Sequence, residues 1–155
     1  DPVCQMTAST ALNETHGPKE ATRSSSNGWA PWIPQTRNRE TTYAYHTTDL
    51  GNTSQVTGVL VGNPRAGTRL VRSFAVHWSY DGDLFYDIGE RFNLTALPIN
   101  ISFAKPFDMR YVRFVILATS SDTDFTRPVT VTLEWQGCVL GTQSPPVCPS
   151  LLSTR

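Results

Sequence analysis

Four Asn-X-Ser/Thr triplets, three histidines and two short acidic pairs hold most of the chemistry this chain could do. The triplets are Asn13-Glu14-Thr15, Asn52-Thr53-Ser54, Asn93-Leu94-Thr95 and Asn100-Ile101-Ser102. In an exported chain each is an acceptor for an N-linked glycan and marks exposed backbone. One triplet is common by chance. Four, spread over most of the chain, point to an extracellular domain. His16, His46 and His77 stand in three separate contexts without the spacing of metal ligands. No Gly-x-Ser-x-Gly and no phosphate-cradling loop is present, so nothing resembles an activated nucleophile. Asp81-Gly82-Asp83 and Asp122-Thr123-Asp124 fall short of the ligand count of a calcium loop. They are expected to be a turn and a solvated surface, a structural calcium being the one ion they suggest. Binding rather than catalysis is expected, with no cofactor.

Whatever binds must be held by a β-rich scaffold. The 155 residues suit one domain with a real core. Thirteen basic and thirteen acidic residues cancel, which gives no electrostatic case for nucleic acid. No apolar run is long enough to span a bilayer as a helix. The chain opens on Asp1-Pro2 with no export signal, so such a signal is expected to have been removed or to lie outside it.

Residues 10–40 show no sustained period and read as long loops, punctuated by Gly17-Pro18, Ser24-Ser25-Ser26-Asn27-Gly28, Pro31 and Pro34. Apolar Leu12, Trp29, Trp32 and Ile33 argue that these loops pack. Short strands are predicted over residues 3–9, 41–50, 55–61, 70–80, 84–88, 99–103, 111–118 and 128–135, from their β-branched and aromatic residues. Phe74, Val76 and Trp78 alternate with Ala75, His77 and Ser79, and Val129, Val131, Leu133 and Trp135 alternate with polar residues. Asp81-Gly82 is a hairpin turn. Eight or so short strands mean a sandwich or barrel.

Cys4 and Cys138 bracket this region and are expected to pair; Cys138 with Cys148 is the alternative. Residues 1–140 are expected to be the domain. Residues 141–155 read as a Pro/Ser-rich linker or tail whose Cys148 would pair in a following module of a larger chain.

Seven stretches, in order, resemble the discoidin domain, the coagulation factor V/VIII type C domain. They are Met6-Thr7-Ala8-Ser9; Ala21-Thr22-Arg23 with Asn27-Gly28-Trp29-Ala30-Pro31; and Tyr45-His46-Thr47-Thr48-Asp49-Leu50-Gly51. Val56-Thr57-Gly58-Val59 and the run from Val71 to Gly82 follow. Arg110-Tyr111-Val112-Arg113-Phe114 and Leu133-Glu134-Trp135-Gln136-Gly137-Cys138 complete the set. The chain departs from the family pattern where Cys4 stands directly before Gln5-Met6, where Tyr45 replaces Trp, and where Thr47-Thr48 replaces Gln-Val. The resemblance implies an all-β, eight-stranded antiparallel jelly-roll barrel. It also implies a non-catalytic module that binds through loops at one end.

On that topology the Ala11–Pro18, Trp29–Glu40 and Gly62–Thr68 loops are expected at the binding end, with Asn52 at the other. The candidate ligand-binding residues are Leu12, Asn13, Trp32, Ile33, Arg37, Arg39, Arg65, Ala66 and Arg69. Trp with Arg suits a protein hot spot or a sugar. An extracellular protein ligand is therefore expected, and a glycan is the alternative. Anionic phospholipid ranks lower, because the apolar tips are small and a glycan on Asn13 would oppose docking on a bilayer. Three further residues are assigned to structure: Trp29 to the core, as its family equivalent is, His46 to a buried position, and one of Arg110 and Arg113 to an ion pair with Asp49.

Overall fold

The structure is a computed structural model that describes residues 6–11, 13–22, 25–31, 44–64, 69–119, 129–140 and 152–153. Seven strands are present among them: β1 (Met6–Ala8), β2 (Tyr45–Gly62), β3 (Val71–Ser79), β4 (Tyr86–Asn93), β5 (Ile99–Thr119), β6 (Thr132–Val139) and β7 (Leu152–Ser153). Two 3-10 turns, η1 (Glu14–His16) and η2 (Pro18–Ala21), lie between β1 and β2. The strands form one sheet in the order β4-β3-β5-β2-β6-β7, with β1 also on β2. All pairings are antiparallel except β6 with β7.

β2 has 18 residues and β5 has 21. At about 3.3 Å per residue a straight strand of that length would run about 60 Å or more, well beyond a compact domain of this size. Both strands therefore bend. The pairing shifts register between Asp49 and Ser54 and again between Val56 and Gly58. Before the first shift, Tyr45–Asp49 pairs with Tyr111–Val115, and β1 and β3 flank that half. After it, Ser54–Val61 pairs with Ile99–Met109, and β6 flanks this half. A single hydrophobic cluster joins the inward residues of both halves: Phe74, Val76, Val112 and Phe114 from one, Val59, Val61, Leu133 and Trp135 from the other. A sheet bent over itself produces that arrangement. Phe74 stacks between Phe92 and Phe114, at centroid distances of 4.9 and 4.5 Å.

The all-β antiparallel architecture is as expected, but the eight-strand barrel is corrected in two ways. Residues 41–50 and 55–61, expected as two strands with a turn at Asn52, belong to one bent β2; residues 99–103 and 111–118 likewise fall within β5. Among the described residues the edge strands β4 and β7 do not pair with each other, so the sheet they form is not closed. Asn52 sits half-buried at the bend of β2. Within the stretch expected as a linker, Leu152–Ser153 pairs with Trp135 and Gln136.

The expected Cys4–Cys138 bridge is not formed in this structure. Cys138 is a free, exposed thiol. Its register explains the exposure: it lies opposite Gln55, which is also exposed, on the outer face of the sheet. Cys4 and Cys148 lie outside the described residues, as does Asp122-Thr123-Asp124.

Candidate functional site

The loop residues that lead into the expected binding site converge at one end. His16 bonds through its ring to Gly28 O at 3.1 Å, and Ala30 N–H donates to His16 O at 3.1 Å. Trp29 pairs with Val131, and Thr130 Oγ1 donates to Asn63 Oδ1 at 2.9 Å. Gly28 is packed so tightly on Pro64 that a Cβ there would fall 2.6 Å from its ring. The described residues around His16, Trp29 and Asn63 therefore pack against one another. The bend of β2 folds its Gly62 end back toward the loops that cover its Tyr45 end.

The individual residues fare differently. Asn13 is exposed and accepts a 2.6 Å hydrogen bond from Thr15 Oγ1 within its own triplet. Arg69 is not a loop-tip ligand. It is 2% exposed, it bridges to Val129 through the backbone, and its guanidinium donates to Thr119 Oγ1. Leu12, Trp32, Ile33, Arg37, Arg39, Arg65 and Ala66 lie outside the described residues. The structural assignments stand. Trp29 is fully buried, its indole N–H donating to Thr10 O at 2.9 Å. His46 is fully buried 5.2 Å from the Trp29 ring.

Arg110 is the partner of Asp49, through Nε to Oδ1 at 2.9 Å and Nη2 to Oδ2 at 3.1 Å. Asp49 also accepts the Gly51 N–H, which fixes the start of the bend. Arg113 instead lies between the rings of Tyr45 and Phe85, at 4.0 and 3.7 Å, and donates to Thr47. Burial holds its guanidinium below the usual arginine range. Arg110→Met should leave the Asp49 carboxylate nearly buried without its two charged donors. Because Arg110 is itself partly exposed, about 2 kcal/mol is expected rather than the full cost of a buried pair, read as a lower urea midpoint.

Asp81 caps the β3–β4 hairpin, accepting from Asp83 and Leu84 N–H and from Ser79 Oγ. These three donors hold its carboxyl below the usual range and occupy Oδ1 as a turn residue would. Among the described residues no cluster of three or more His, Cys, Asp or Glu could hold a metal.

A groove of about 530 Å³ opens beside the loop end. It is lined by Leu60, Gly62, Asn63 and Pro64 from the end of β2, Thr132 and Glu134 from β6, Pro98 before β5, and the Ser25-Ser26 turn. β2 and β6 pair Leu60 with Glu134 and Gly62 with Thr132. These residues face outward, because the alternate positions Val59, Val61, Leu133 and Trp135 belong to the core. The lining combines an apolar floor (Leu60, Pro64, Pro98) with hydroxyl, amide and carboxylate groups. Such a set can stack on the C–H face of a polar ring and hydrogen-bond its edge. Asn63 and Pro64 belong to a loop chosen from the sequence. Ser25, Ser26, Leu60, Pro98, Thr132 and Glu134 were missed. Their one signal was the outward alternation of 60/62 and 132/134, which names no partner until the register is known.

Similarity to known proteins accords with this fold. A model of the F5/8 type C domain matches residues 5–129. No curated protein matches the sequence. Among solved structures, discoidin II from Dictyostelium discoideum superposes with a TM-score of 0.68 at 12% identity, over 92% of this chain and 57% of that one. This chain thus spans little more than half of discoidin II. The family 32 CBM of C. perfringens NanJ, in complex with galactose, has a TM-score of 0.64 at 9% identity, covering 85% of this chain and 92% of that one. A chitosan-binding module from a Paenibacillus sp. chitosanase/glucanase has a TM-score of 0.65 at 16% identity, covering 85% and 92%. At these identities the superpositions speak for the fold, and the family match covers most of the chain: the chain belongs to the F5/8 type C (discoidin) domain family.

Proposed function

We propose that this domain is a non-catalytic extracellular binding module that takes a glycan in the groove between the end of β2, the start of β6 and the Ser25-Ser26 turn. The groove carries the proposal. Its volume and its mixed lining of Leu60, Pro64 and Pro98 with Ser25, Ser26, Asn63, Thr132 and Glu134 suit a polar ring with one apolar face. Support of another kind comes from structures of the same fold, one in complex with galactose and another named chitosan-binding. A glycan array followed by titration of the best hit tests it. Glu134→Gln with Thr132→Val should weaken binding by about tenfold or more, since a polar site loses heavily when its hydrogen bonds go unmade. Unchanged affinity would overturn the groove as the site.

A protein ligand is the second reading, and one observation favours it. The residues that lead into Trp32 and Arg65 pack against each other through Gly28 and Pro64. Loss of cell or matrix binding in a Trp32→Ala, Arg65→Ala double variant, with glycan binding intact, would favour the protein ligand. Phospholipid ranks third, because the exposed Asn13 stands at this end.

Extracellular placement rests on the four triplets; peptide mass mapping of the protein secreted from a glycosylating host should find glycan on at least one of them, and four bare asparagines would remove this support.

A further inference from the structure

We infer that an N-linked glycan on Asn100 covers the groove and so controls its occupancy. The inference rests on the groove being the binding site. β5 pairs Asn100 with Leu60, and β6 pairs Leu60 with Glu134. Residues directly opposite in antiparallel strands share a face, with Cβ atoms about 5 Å apart. Asn100, Leu60 and Glu134 thus form one row across three strands, and Leu60 and Glu134 line the groove. Pro98, two residues before Asn100, lines it as well.

Asn100 is exposed, and so is Ser102, the hydroxyl residue of its triplet. The strand period puts both on the outer face. The other triplets are placed differently. Asn52 is half-buried, and its Ser54 is fully buried with the hydroxyl donating back to Asn52 O. Asn93 is opposite Ser73 on β3, and Asn13 opens η1; neither lines the groove. Asn100 alone of the four has its cross-strand row running through the site. A glycan there is bulky and polar. It is rooted about one strand spacing from Leu60 and about two from Glu134, within reach of the groups a free glycan would use. The glycosylated form has a covered groove and the bare form an open one.

The experiment compares the domain secreted from a glycosylating host with its Asn100→Gln and Ser102→Ala variants. Peptide mass mapping reads occupancy, and carbodiimide labelling of Glu134 reads access without any ligand. Asn100 is expected to be modified, and Glu134 to label several-fold faster in both variants. An unmodified Asn100, or equal labelling in all three proteins, overturns the inference. The binding arm uses the glycan that scores best on the array. The bare variants should bind it about tenfold more tightly than the glycosylated protein. If Glu134 is shielded but no form binds a glycan, the covering stands and the groove fails as the glycan site.

Discussion

Gly137→Ala is expected to destabilise the domain by about 4 kcal/mol or more, enough to leave much of it unfolded at 37 °C if it is only marginally stable. Gly137 sits at φ +151°, backbone that residues with a side chain rarely adopt. That alone costs about 1–3 kcal/mol. Sterics add to it. A Cβ on Gly137 would fall 1.8 Å from Gln55 O and 2.9 Å from Gln55 C, both backbone atoms of the neighbouring strand. No side chain can swing away to make room. β6 must part from β2 where Val56 faces Gly137, next to the register shift, and lose ladder hydrogen bonds of about 1 kcal/mol each. Gly89→Ala is the control. It has a comparably special φ of +90° but nothing within 4 Å of the added carbon. It should show the conformational cost alone, about 1 kcal/mol. Urea unfolding of the two variants separates the terms. Equal losses would mean that the strand contact at Gly137 is of no account.

That contact also shows where the sequence stopped being legible. The alternation of Phe74 with Val76, and of Val131 with Leu133 and Trp135, names inward faces without any knowledge of pairing, and all five residues lie in the core. Residues 41–50 and 55–61 read as two strands, with Gly51 and Asn52 between them. In the structure these two bend a strand that continues to Gly62, since the pairing with β5 resumes at Ser54. Pro106 lies exposed within β5 where pairing to β2 is interrupted between Ser102 and Phe107. A bend carries no period, so propensity could not see it. The loop end was legible because Trp29 and its neighbours carry a recognisable pattern. The groove was not. Leu60, Pro98, Thr132 and Glu134 come from three parts of the chain, and each alone is an ordinary outward residue. Only the register of β2 with β6 makes Leu60 and Glu134 neighbours. Arg69 shows the opposite error: its charge suggested a loop tip, while Thr119 and burial hold it as structure.

Acid should weaken the fold between pH 6.5 and about pH 4, and His46 is the reason. The ring is fully buried against Trp29. Its Nε2–H donates to Pro18 O at 2.9 Å, which leaves Nδ1 as the unprotonated nitrogen, and Nδ1 has no partner. A proton placed there would be a buried charge with nothing to receive its hydrogen bond. Burial accordingly pushes the pKa down from 6.5 to about 4, with the Pro18 bond opposing it only in part. The unfolded chain takes the proton near pH 6.5, whereas the folded chain resists it until about pH 4. The stabilisation is therefore fully present above pH 6.5. It drains away as pH falls and is gone below the folded pKa, a loss of about 3 kcal/mol. The carboxyls of Asp81 and Asp87 are held below their ordinary 3.8, so what they contribute is lost only at lower pH. His77 is also shifted down, but it is partly exposed and faces Asp87, so its share of the same window is smaller. Stability measured by urea unfolding between pH 7 and pH 4 should fall steeply in the wild type. In His46→Phe, whatever its stability at pH 7, most of that slope should vanish. A slope that survives the substitution would place the acid sensitivity elsewhere and deny His46 its role as the neutral, buried link between the loop at Pro18 and the start of β2.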